Sequence, residues 1–228
     1  MIWSPRELGG KAWTPQLKLV LARGDDGVTR IERRRSRYPY VVLRPFWFGD
    51  RPDGMATVIL QSGSGGLYAG EQLGQHFVVG PDAAAQVTTQ AATVVHSSED
   101  MGTTQVRTMV DLGLGAHFEY IADPLILFPG ASLQQVVDAR LRPDSIFVLA
   151  EGTLRHDPGP GDRPLPTLRV VSPSEGRMER CWLETRPASL ARASTGRSPA
   201  PQVGGPERGS CSLLLQAGSV STTFGVRH

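Results

Sequence analysis

Short apolar stretches rich in Val, Ile, Thr and aromatic residues recur every ten to fifteen positions along this chain, separated by Gly, Pro or Asp. That rhythm restricts the fold more than any other feature. Segments of four to eight residues are too short to be packed helices, and β-branched residues bounded by turn formers are strand signals. Residues 17–21, 41–48, 57–60, 77–79, 86–89, 106–112, 116–121, 136–141 and 146–150 read as strands. The alternation is clearest in the sixth of these. Val106, Thr108, Val110 and Leu112 share one face, and Gln105, Arg107, Met109 and Asp111 take the other. A slip of one residue would drive Arg107 and Asp111 into the core, so the register is strongly specified. Turn signals lie between strands at Gly80-Pro81-Asp82, 112–115 and Pro143-Asp144. The expected class is all-β, with one or two short helices. The helix candidates are residues 91–97 and a shorter turn at 129–134.

The 228 residues suffice for one large β domain. After Glu151 the chain changes character. Residues 155–166 carry four prolines and two glycines and read as a surface loop, and residues 168–171 and 178–183 restore two strands. Residues 185–210 are mostly Pro, Ser, Ala, Gly and Arg. Such a segment buries too little apolar surface to offset its ordering entropy, and disorder is expected there. Residues 213–215 are expected to return to the sheet, giving a β-rich domain over 1–184, a disordered 185–210 and a short C-terminal strand within 211–228.

Two cysteines, Cys181 and Cys211, exclude a disulfide scaffold and a four-thiolate zinc site. The first residues lack the basic-then-apolar pattern of a signal peptide, and no apolar run approaches the roughly 20 residues that span a bilayer. A cytoplasmic protein without membrane contact is expected. Net charge is +2, but Arg30, Arg33, Arg34, Arg35 and Arg37 form a basic cluster. It reads as a solvated edge or a site for an acidic protein surface; nucleic-acid binding is the less favoured reading.

No catalytic constellation emerges. Gly65 to Gly70 has the glycine spacing of a phosphate loop, but Glu71 stands where that loop needs lysine and would repel phosphate. Ser64 lacks the upstream glycine of a nucleophile elbow, since Ser62 occupies that position. His117 and Glu119 project from the same face of a strand and could share a metal, yet a third ligand at clear spacing is missing. A metal-dependent hydrolase built on that pair therefore remains an alternative, as does a β-rich protein-interaction module. Thr88-Thr89-Gln90 reads on its own as a hydrogen-bonded strand terminus.

Three motifs in order carry a resemblance. Gly65-Gly66 through Gly70-Glu71 is similar to the Gly-Gly-x-x-x-Gly-Asp motif of the UreD (UreH) urease accessory proteins. Thr88-Thr89-Gln90 is similar to that family's Thr-Thr-Gln motif. Glu119-Tyr120-Ile121 with Phe128, Gly130 and Ala131 resembles its later stretch, and residues 38–46 resemble the strand before the glycine motif. The chain departs from the pattern at Glu71, at Val94 where lysine is common and at Ala122 where proline is common. The Gly-Arg-x-x-Gly-Glu motif is not found after Thr153, and the chain ends before the family's basic C-terminal extension.

The resemblance implies an irregular, helix-like stack of β-strands and a role as a scaffold rather than an enzyme. It implies docking on apo-urease with UreF and, through UreF, the GTPase UreG, to support nickel delivery. No tightly bound cofactor is implied; nickel is transient cargo. Oxygen donors at Glu71, Thr88, Thr89, Gln90 and Glu119 are the candidate nickel path, because a conduit must hold its cation weakly enough to release it.

Overall fold

The structure, a computed structural model, describes residues 14–49, 54–98, 101–156, 167–171 and 208–216. Among these there are fourteen strands and no helix. They are β1 (Leu17–Arg23), β2 (Thr29–Ser36), β3 (Tyr40–Val42), β4 (Ala56–Ser62), β5 (Gln72–Val79), β6 (Ala84–Thr89) and β7 (Thr93–Val95). The rest are β8 (Thr104–Leu112), β9 (His117–Ile121), β10 (Leu125–Leu127), β11 (Ser132–Arg140), β12 (Ile146–Arg155), β13 (Thr167–Val171) and β14 (Arg208–Gln216).

These strands form two sheets. One runs β13-β11-β8-β5-β1-β2; the other runs β3-β4-β6-β9-β12-β10-β7, with β14 pairing β12. From β4 onward the chain alternates between them. It passes β4 to β5, β6 and β7 to β8, β9 and β10 to β11, then β12 to β13, and every neighbouring pair so made within a sheet is parallel. Parallel neighbours need a long crossover. Here the crossover is a strand of the opposite sheet, so each coil of about thirty residues stacks on the one before, as in a solenoid. Antiparallel β2 lies on β1 at the first edge of one sheet, and antiparallel β3 on β4 at the first edge of the other. The all-β class and the layered, helix-like stacking expected from the sequence are both found.

The half-buried strands explain why their alternation was readable. β8 alternates along most of its length, with Val106, Thr108, Val110 and Leu112 all buried and inward. The outward face holds one surprise: Arg107 is also buried, and its guanidinium meets the Asp138 carboxylate at 3.4 Å. Asp111 bonds His76 at 2.7 Å, and that contact, helped by Arg140 and Lys18, holds its carboxyl below the usual carboxylate range. The core between the sheets centres on Phe77, Phe118 and Phe147, all essentially without solvent contact. Phe118 stacks on its register partner Phe147 at 5.8 Å and meets Phe77 of the facing sheet at 5.3 Å.

The helix expected at 91–97 is not formed. Those residues contain β7, which pairs with β10 and is bridged to Leu67. Residues 129–134 make a turn that runs directly into β11, with the Ala131 N–H donating to Phe128 O at 3.0 Å. The strand expected at 41–48 is β3 followed by a single bridge between Phe46 and Thr57. β2 lies where the sequence showed only a basic cluster. β13 and β14 cover residues 167–171 and 208–216, while the strand expected at 178–183 and nearly all of the segment expected to be disordered lie outside the described residues.

Candidate functional site

Each inward row of a solenoid strand should be apolar, and three rows are interrupted at adjacent levels. In β5 the inward row is Leu73, Gln75, Phe77 and Val79; in β11 it is Leu133, Gln135, Val137 and Ala139. In β12 it is Phe147, Leu149 and then Glu151. Thr108 of β8 lies beside Gln75 in register. These polar groups separate the main apolar cluster from a smaller one formed by Leu67, Leu73, Val95, Val106, Leu127, Ala131 and Leu133.

Between the two clusters is a cavity of about 280 Å³ lined by Gln75, Thr108, Gln135, Tyr40, Tyr120 and Glu151 among others. The facing sheets are tied across it. The Tyr120 hydroxyl donates to the Gln75 amide oxygen at 3.3 Å, and the Gln135 amide donates to the Glu151 carboxyl at 3.3 Å. Burial pushes the Glu151 carboxyl up from its ordinary pKa, only partly offset by the Gln135 bond. The residue is half-buried and lines the cavity. Burial likewise pushes up the phenols of Tyr120, where the Glu151 charge adds to the effect, and of Tyr40. The lining thus combines amide groups, hydroxyls and neutral phenols with two carboxyl groups, Asp123 and the reluctant Glu151.

The residues singled out in the sequence fall in several places. Thr89 and Gln90 line the cavity. Thr89 Oγ1 donates to Asp123 Oδ2 at 3.1 Å and accepts the Asp123 N–H at 2.8 Å; the Gln90 amide oxygen accepts from the Gln61 amide. Thr88 points to the opposite side of β6 from Val87 and Thr89, away from the core. Glu119 lies on the outer face of β9, bonded to Gln86 at 2.9 Å and to His117 at 3.1 Å. His117 and Glu119 therefore do share a face, but among the described residues no three His, Cys, Asp or Glu side chains converge as a metal site. Glu71 braces its own loop by accepting the Tyr68 N–H at 3.0 Å. The five candidate path residues thus do not line one channel; two are at the cavity and three are elsewhere.

Two of the motifs converge. The loop holding Gly65, Gly66, Gly70 and Glu71 joins β7 through Leu67, whose N–H donates to Val94 O at 2.8 Å, and β7 joins β10 just before Phe128, Gly130 and Ala131. Three stretches far apart in sequence are thus successive layers of one wall. Rings run through those layers: Tyr68 stacks on His96 at 4.5 Å, His96 meets Phe128 at 5.9 Å, and Phe128 meets His156 at 5.1 Å. Gly65 and Gly66 lie on the cavity rim. Gly66 has φ +143°, and a Cβ there would sit 2.4 Å from Val94 O. Gly66→Ala should therefore lose about 1–3 kcal/mol from backbone strain alone, read as a lowered urea midpoint. An unchanged midpoint would mean the loop is not held against β7. Tyr120, in contrast, serves the cavity directly. Gln75, Gln135 and Glu151 were missed by motif reasoning, although each breaks an otherwise apolar inward row.

No helix among the described residues is long and apolar enough to cross a membrane. The family model for the UreD urease accessory protein matches residues 14–164. Urease accessory protein UreD 1 of Methylorubrum populi is 38% identical over 165 residues, 71% of this chain and 55% of that protein. The protein of the same name from a Bradyrhizobium species is 40% identical over 133 residues, covering 58% and 47%. UreD 1 of Pseudomonas syringae pv. syringae is 34% identical over 185 residues, covering 79% and 64%. This chain spans roughly half to two thirds of the length of these curated relatives. With a family match running from β1 past β12, and the glycine-motif loop joined through β7 to the stretch holding Phe128, Gly130 and Ala131, the chain belongs to the UreD family of urease accessory proteins.

Proposed function

We propose that this chain is a non-catalytic scaffold that docks on apo-urease together with UreF and, through it, the GTPase UreG, and supports nickel delivery into the urease active site. The observation that carries the reading is the oxygen-lined cavity between the sheets of a chain that belongs to an accessory family. Imidazole and thiolate hold nickel tightly, whereas hydroxyl, amide and carboxyl oxygens hold it weakly. A cargo ion must be released, so Tyr40, Gln75, Thr108, Tyr120, Gln135 and Glu151 suit transfer better than storage. Nucleotide would be held by the GTPase, in keeping with Glu71 in place of a phosphate-binding lysine. Such work belongs in the cytoplasm.

The test is the nickel content of urease purified from a strain lacking this gene, with the gene restored on a plasmid as control. Urease should remain abundant but nickel-poor and inactive. Thr89→Ala with Gln90→Ala should reproduce part of the loss, because both residues line the cavity. Full nickel occupancy without this protein would end the proposal.

A further inference from the structure

β2 presents a strongly basic surface, and none of its residues lines the cavity. Five arginines and one acid, Glu32, lie in residues 30–37, a local charge of +4 in a chain of net charge +2, which leaves the remainder with an excess of acid. β2 is the edge of its sheet and is exposed along nearly its whole length. Its register shifts opposite Val20 and Leu21: Val20 faces Arg33 and Leu21 faces Ile31, so Glu32 is an extra residue. The bulge lets Ile31 pack on the core while Arg33 and Arg35 lie beside Val20 and Lys18 on the outer face. Arg37, whose N–H donates to Gln16 O at 3.0 Å, continues the row.

The neighbouring arginines are occupied. Arg30 forms a two-pronged pair with Asp26 at 2.6 and 2.8 Å, and Arg34 donates to Val42 O at 3.4 Å. Among the described residues, Arg33, Arg35 and Arg37 make no ion pair. An exposed aromatic ring stands at each end of the row. Tyr38, 68% exposed, follows Arg37, and Trp47, 44% exposed, is pinned to the start of β2 by its indole N–H bond to Thr29 O at 2.9 Å.

The geometry points to a docking site for an extended acidic segment of a partner protein, with carboxylates at alternate positions meeting Arg33, Arg35 and Arg37. Same-face residues of an extended strand recur about every 6.6 Å on both partners, and guanidinium pairs with carboxylate in a two-pronged fit. Arg, Tyr and Trp are the side chains that anchor protein interfaces. The strip is one strand wide and the rest of the chain carries excess acid, so a broad positive face for a nucleic acid is lacking. This inference does not depend on the nickel-delivery proposal.

The test uses the full chain and a fluorescent twelve-residue peptide of alternating Glu and Ser, followed by anisotropy. Single-stranded DNA of equal charge and phosphatidylserine vesicles are run alongside. The peptide should bind, weaken with salt, and lose about tenfold or more in affinity when Arg33, Arg35 and Arg37 are changed together to Glu. The Gln triple should lose affinity too, and covers the case in which charge reversal disturbs folding. Arg142→Glu, on an exposed residue of the turn between β11 and β12, should bind as the parent does. The proposal is overturned by absent peptide binding, by folded triple variants that bind normally, or by DNA or vesicles binding more tightly than the peptide.

Discussion

Phe118→Ala should lower stability by about 3–5 kcal/mol, shifting Tm downward on the order of 10 °C for a chain of this size. Phe118 has no solvent contact and touches Phe77 across the sheets and Phe147 along its own sheet. Truncation removes the central ring of three and leaves a void that two rigid sheets cannot close. Phe118→Leu should recover most of the loss, since it refills much of the volume. Urea unfolding of both variants measures this, and an alanine variant within about 1 kcal/mol of the parent would contradict the packing described.

Glu151→Gln should stabilise the protein, and by an amount that grows with pH. Burial raises the folded-state pKa of Glu151 above its value in the unfolded chain. Between those two values the native state binds more protons than the unfolded state, so stability falls as pH rises through that window and levels off above it. Below the unfolded value parent and variant should differ little, because the protonated acid and the amide are nearly the same shape. Ionising a fully enclosed carboxylate costs several kcal/mol, and the half-buried Glu151 should cost less. Urea midpoints at pH 4, 6 and 8 give the comparison. A parent that gains on the variant as pH rises would show that the native state favours the carboxylate.

What the sequence made readable follows from where each strand faces. β1, β8, β9 and β11 have one face on the core and the other toward solvent, so Leu17, Leu19 and Leu21, or Val106 to Leu112, announce themselves. β2 was hidden because only Thr29 and Ile31 are apolar-facing or buried and arginines fill most of the remaining positions. β7 was mistaken for a helix because Ala91 and Ala92 favour one locally, while its partners, β10 and Leu67, are about thirty residues away on either side. Strand formation there is a tertiary effect. The motifs identified the family without revealing the cavity. Gln75, Gln135 and Glu151 acquire meaning only when the registers of both sheets are known, since it is their alignment across the gap that opens the interior.

The stacking of coils also dictates an order of events. Gln75 of β5 waits for Thr108, and Thr108 waits for Val137, each about thirty residues later in the chain. Every closure costs loop entropy before any pairing rewards it, which makes such a topology slow to fold. A chain emerging from the ribosome meets its coils in the order in which they must be laid down, whereas a denatured full-length chain must find them in competition with mispaired ones. Each coil also exposes a parallel edge until the next arrives, and those edges invite association between chains. Synthesis slow enough for each layer to settle before its successor appears should therefore give a higher yield of native protein than refolding from denaturant.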